Sequence, residues 1–155
     1  MTPLEGIKIL DLTRYLPGPF ATQLLADFGA TVIKIEEPGG ELGRALPPFV
    51  NGYGTRFASV NRNKKSITLN LKEPKAREIF CKLVRDADVV VEQFRPGVMD
   101  KLGLGYEDLK KLNSRLIYCS ITGYGLTGPL KERAGHDVNY LSLSGVTALT
   151  ATKKG

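Results

Sequence analysis

His136 is the only histidine among the 155 residues, and it stands where a turn-rich stretch meets an apolar one, Arg133-Ala134-Gly135-His136-Asp137-Val138-Asn139-Tyr140. A loop-to-helix junction presents unpaired N–H groups and the positive end of a helix dipole, a setting that holds an anion and keeps a nearby imidazole neutral. A neutral imidazole can act as a general base near pH 7. A lone histidine beside a capping aspartate is most often only an ordinary surface residue, and local pattern by itself favours that reading. A second candidate is the run from Arg56 to Lys65, where Arg56, Arg62, Lys64 and Lys65 occur without an acidic residue and Lys72 follows shortly. Such a patch suits a phosphorylated ligand or is simply a solvated face. The turn Gly123-Tyr124-Gly125 offers N–H donors for a developing oxyanion, or plain turn geometry.

Composition narrows the class. With 42% hydrophobic and 25% charged residues, the chain suits one globular domain with a real core. The formal charge of +6 is modest, and no nucleic-acid reading motif accompanies it. Cys81 and Cys119 lack metal-ligand spacing and read as thiols of a reducing compartment, so no metal is expected. The sequence carries no long apolar run and no signal-like start, so a cytoplasmic protein without a membrane partner is the simplest expectation.

The elements that position these residues follow from periodicity. Ile7–Leu12 reads as a strand buried on both faces, Pro17-Gly18-Pro19 opens a helix through Phe28 that Gly29 ends, and Thr31–Ile35 is a second strand. Strand, helix, strand with short connections is the βαβ pattern of a parallel sheet. Pro38 to Asn63 reads as a long irregular excursion. Ser66–Leu71 is a strand, Glu73-Pro74 opens a helix through Val84, and Val89–Val91 is a short buried strand. Tyr106–Leu112 is a small helix, Leu116–Ile121 a strand, and Val138–Leu149 one final helix capped by Asp137. These alternations predict an α/β fold, a Rossmann-like mainly parallel sheet with flanking helices. One glycine after the first strand cannot form the dinucleotide fingerprint, so NAD or FAD binding is not supported.

Five runs in order carry a family resemblance. They are Pro17-Gly18-Pro19 with Leu25–Ala30 and Val32–Glu36, Asn61–Ser66 with Leu69–Lys72, Glu92–Val98 with Leu102–Gly105, Gly123–Gly125, and Gly135-His136-Asp137. Together they resemble the family III CoA-transferases, which include formyl-CoA transferase, carnitine CoA-transferase and α-methylacyl-CoA racemase. Ala134-Gly135-His136-Asp137 with Asn139-Tyr140 looks most like the racemase branch.

The resemblance implies an acyl-CoA substrate, with coenzyme A entering as part of it and no cofactor bound permanently, and an interlocked homodimer of chains more than twice this long. Residues 1–155 would then be the N-terminal part of the CoA-binding large domain, with the family's catalytic aspartate and small domain further along. It implies CoA contacts at Leu69, Asn70, Leu71 and Lys72, at Gln93 and Lys101, and around the junction at Gly135, Asp137, Asn139 and Tyr140. Glu37 departs from the family, which has an arginine there to stack on adenine; either Lys34 or Arg44 substitutes or the nucleotide is held differently. For a racemase, His136 would remove the α-proton of a 2-methylacyl-CoA from one face and the distant aspartate would serve the other. The alternatives are a transferase, in which the aspartate forms a mixed anhydride and no histidine is needed, and a non-catalytic CoA-binding module.

Overall fold

The computed structural model describes residues 2–150 and 152, and the chain divides into two compact units between Ile121 and Thr122. In the larger unit, β1 (Lys8–Asp11) leads into α1 (Pro17–Asp27) and β2 (Thr31–Glu36). A 3-10 turn (Leu42–Ala45), a hairpin of β3 (Phe49–Val50) and β4 (Tyr53–Gly54), and α2 (Thr55–Ser59) follow. Then come β5 (Lys65–Thr68), α3 (Pro74–Arg85), β6 (Val89–Glu92), α4 (Val98–Lys101), α5 (Tyr106–Leu112) and β7 (Ile117–Ser120).

The five long strands form one parallel sheet in the order β5-β2-β1-β6-β7, so the Rossmann-like expectation holds. β1 is central, with Leu10 opposite Ile33 on one side and Val90 on the other. The chain winds outward through β2 and β5, then restarts beside β1 with β6. That reversal between β1 and β6 is where open α/β sheets leave a crevice at the carboxyl ends of their strands.

Alternating residues of β1 feed two cores. Ile9 packs with Ala26, Ala30, Val32 and Val91 on the α1 face. Leu10 and Leu12 join Phe80 and Val84 of α3 and Leu109 of α5 on the other. Phe80 is wholly buried, and truncating it to alanine should cost about 3–5 kcal/mol through lost transfer energy plus a cavity. Gly29 ends α1 at φ +102°, a left-handed conformation that a side chain resists.

Two readings of the sequence change. The excursion from Pro38 to Asn63 is not irregular, since it contains the 3-10 turn, the hairpin and α2, and buried charges anchor it to the sheet. The segment expected as one helix over Val138–Leu149 is two, α6 (Asp137–Leu143) and α7 (Val146–Thr150), parted where Gly145 takes φ +81°. Both belong to the smaller unit.

Candidate functional site

At the carboxyl ends of β1, β2, β5 and β6 the larger unit opens a cleft of about 180 Å³. Leu12, Thr13 and Arg14 line it just after β1, with Glu36 at the end of β2 and Glu37 just beyond it. Leu69, Asn70, Leu71 and Lys72 follow β5, while Phe94, Val98 and Leu102 close the far side. All four residues of the run expected to contact CoA therefore share one cavity. Leu69 is fixed by its N–H, which donates to the Glu36 carbonyl at 2.8 Å and extends the β2–β5 pairing by one bond. Beyond it the backbone turns, with the Glu73 N–H on the Asn70 carbonyl at 2.8 Å. Lys72 is exposed, with its ammonium free to meet an anion.

The floor of the cleft is a set of buried charges. Lys34 is 1% exposed; its ammonium pairs with Glu41 at 2.7 Å and donates to the Thr13 carbonyl at 2.8 Å. It therefore cannot stack on a base. Arg44 does not serve either, since its guanidinium grips the Glu36 carboxylate at 2.6 and 2.7 Å and lies 3.9 Å from the Phe57 ring centre. Burial pushes the Glu36 carboxyl up, but hydrogen bonds from Arg44, Ser66 and the Glu41 N–H more than offset this and hold it at about 2. The cation at the mouth is instead Arg14, 3.4 Å from the Glu37 carboxylate and 5.3 Å from the centre of the Phe94 ring.

The basic run resolves into structural pairs. Lys64 donates to the fully buried Asp11 carboxylate at 3.0 Å, to the Pro19 carbonyl at 2.8 Å and to Asn61 at 2.9 Å, and burial lowers its pKa. Arg62 grips Asp27 through two nitrogens. Two of the four cations read as a patch thus tie the excursion to β1 and α1, and the pattern of charges along the sequence carried no sign of their partners.

Gln93 and Lys101 do not line the cleft. Gln93 packs against Gly18, where a Cβ would come within 2.6 Å of its side-chain oxygen and within 2.3 Å of Thr13. Lys101 is exposed on α4. The turn after β1 offers little to a phosphate, because Pro17 and Pro19 have no N–H and the Tyr15 N–H is taken by Glu41 at 2.7 Å.

The smaller unit gathers Gly135, His136, Asp137, Asn139 and Tyr140 locally. His136, not Asp137, is the N-cap of α6: its backbone N–H donates to the Asn139 side chain at 2.9 Å and its carbonyl accepts the Asn139 N–H at 2.9 Å. Asp137 is the first helical residue. Tyr140 donates to the Gly135 carbonyl at 2.7 Å, and its ring meets Tyr124 edge-on. A Cβ on Gly135 would fall 2.8 Å from both tyrosines. The run that suggested a racemase thus encodes a helix start and a glycine–tyrosine contact, and His136 is exposed. No group of three or more metal-ligating side chains occurs among the described residues, and no helix among them is long and apolar enough to cross a membrane.

Comparison with known proteins gives a consistent result. The profile of CoA-transferase family III matches residues 4–155. Succinyl-CoA:glutarate CoA-transferase of Mus musculus is 53% identical over 100% of this chain and 36% of its own length. Acetyl-CoA:oxalate CoA-transferase of Acetobacter aceti is 48% identical over 99% of this chain and 40% of its own. A crystal structure of a CaiB/BaiF family protein from Brucella suis superimposes with a TM-score of 0.94 at 45% identity, covering 99% of this chain and 42% of that one. The chain spans about two fifths of these proteins. The relatives are named as transferases, which overturns the racemase expectation in favour of its transferase alternative.

Proposed function

The chain belongs to CoA-transferase family III, and on that premise we propose that it forms the CoA-holding part of an enzyme that moves CoA from a thioester to a free carboxylate. The observation that carries this reading is the convergence of Leu69, Asn70, Leu71 and Lys72 in one cleft at the strand ends beside the sheet's reversal point. For the whole protein the proposal extends to Gln93, which follows the carboxyl end of β6, and to Lys101, which lies on α4 between the lining residues Val98 and Leu102.

The chemistry explains why such a part is needed. A carboxylate nucleophile, expected further along the polypeptide, attacks the thioester carbonyl; the C–S bond breaks and CoA leaves as a thiolate, with the acyl group held as a mixed anhydride. The acceptor carboxylate then attacks the enzyme's own carbonyl of that anhydride and displaces the donor as a free carboxylate, and the CoA thiolate, which must have stayed bound, attacks the acceptor's acyl carbon to give the new thioester and restore the enzyme carboxylate. Binding energy at the nucleotide end, remote from the sulfur, keeps the thiolate in place without burdening the reacting atoms. No base is required at His136 in this sequence of steps. The relatives that act on glutarate and oxalate make a small dicarboxylate the acceptor of choice.

The partner and location belong to the same proposal. Leu16, Phe20, Leu24 and Phe28 recur every four residues along α1 and are 62%, 48%, 40% and 55% exposed. That apolar stripe supports burial in a homodimer. Free Cys81 and Cys119 support a reducing, cytoplasmic setting.

Calorimetric titration of CoA into the full-length protein tests the cleft. Lys72→Ala should weaken binding by roughly tenfold, as expected for loss of one charged phosphate contact, while Lys110→Ala leaves it unchanged. Equal affinity in the Lys72 variant would remove the run from the site.

A further inference from the structure

We propose that Arg77 is a positioning residue for CoA, one that sets the polarity of the Leu69–Lys72 wall without touching the ligand; this rests on the CoA reading of the cleft. Arg77 lies in the first turn of α3 and is absent from the cleft lining, facing a shallow groove on the outer side of the helix. One of its guanidinium nitrogens donates to two successive carbonyls, Leu71 at 3.1 Å and Lys72 at 2.7 Å.

Those two bonds complete a sorting of the backbone. The Asn70 carbonyl already accepts the Glu73 N–H, and the Asn70 side-chain oxygen accepts the Lys72 N–H at 3.3 Å. With Arg77 in place, the carbonyls of Asn70, Leu71 and Lys72 all have partners within the protein. What Asn70, Leu71 and Lys72 have left to offer is donors, namely the Asn70 side-chain amide, the Leu71 N–H and the Lys72 ammonium. A wall of donors suits phosphate oxygens.

The geometry makes Arg77 the element that maintains this asymmetry. The peptides following Leu71 and Lys72 lie past the end of β5, where no strand ladder fixes their orientation. Each peptide plane is rigid and, apart from Arg77, is held by one N–H bond to Asn70, at 3.3 Å for the first and 2.8 Å for the second, so a carbonyl released from Arg77 can swing as a unit by giving up that bond and bring its oxygen toward the ligand. A carbonyl oxygen facing a phosphate repels it. The guanidinium also leaves a positive charge just behind the wall, which favours an anion in front.

The test compares CoA with pantetheine, which lacks the nucleotide and its phosphates, in the full-length protein. Arg77→Met should raise the CoA dissociation constant by about tenfold and leave pantetheine binding within about twofold. In acceptor-dependent turnover the same variant should raise KM for the thioester with kcat nearly unchanged. Arg77→Lys, whose ammonium can reach both carbonyls, should lose only about threefold for CoA. Unchanged CoA affinity in Arg77→Met, with Lys72→Ala still weakened, overturns the role of Arg77 and spares the cleft; if both are unchanged, the cleft reading fails as well. Equal losses for CoA and pantetheine indicate general damage and also overturn it. If Arg77→Met does not fold, Arg77→Lys decides: a loss confined to CoA supports the role, and no loss or an equal loss contradicts it.

Discussion

Arg44 holds Glu36 through two hydrogen bonds of 2.6 and 2.7 Å, joining the 3-10 turn of the excursion to the last residue of β2. The Glu36 carboxylate is thereby stabilised in the folded state, with its pKa lowered from an ordinary 4.5 to about 2. A carboxyl lowered on folding contributes stability that is complete above its unfolded pKa and is lost as pH falls through its folded one. Urea midpoints should therefore decline between about pH 4.5 and 2. Arg44→Met should remove much of that slope and cost roughly 2 kcal/mol at neutral pH. An unaltered slope in the variant would show that the pair does not set acid stability.

Lys34 and Glu41 form the deeper pair, both side chains 2% exposed. Lys34→Met leaves a buried carboxylate without its cation and should destabilise by about 3–5 kcal/mol. Replacing both, as Lys34→Met with Glu41→Leu, should recover a large part of this in a double-mutant cycle followed by denaturant unfolding. A cycle with no coupling would mean that the two charges act independently.

Gly18→Ala should be poorly tolerated, because the added carbon meets Thr13 at 2.3 Å and the Gln93 oxygen at 2.6 Å. Overpacking of this kind costs about 1–3 kcal/mol, a drop in melting temperature visible by calorimetry. Gly52→Ala probes a different cost, since it has open space but φ +79°. Its smaller loss, about 1 kcal/mol, separates backbone strain from steric overlap.

The sheet was legible because its strands are runs of branched apolar residues, as in Ile7–Leu12 and Val89–Val91, and because Pro17, Gly29 and Pro74 mark helix ends. The excursion was not, because its order depends on Lys34, Glu36, Glu41 and Lys64, charged residues whose burial is decided by partners 5 to 53 positions away. Single-residue pattern reads such side chains as solvent-facing. The Leu69–Lys72 run was found through its family likeness, and its four residues line one cleft. Arg77 escaped notice because its partners are backbone carbonyls, which have no sequence signature. The racemase reading failed for a related reason: in this chain Gly135, His136 and Asn139 serve a helix start that is capped and packed against Tyr140, a use that does not depend on the reaction performed.

The most direct test of the central claim is acceptor-dependent CoA transfer by the full-length protein, followed by mass spectrometry of the thioesters. With succinyl-CoA and glutarate, glutaryl-CoA should form only when glutarate is present, and Lys72→Ala should raise KM for the thioester with little change in kcat. Absence of transfer to any small dicarboxylate, together with α-proton exchange in deuterated water without an acceptor, would contradict it.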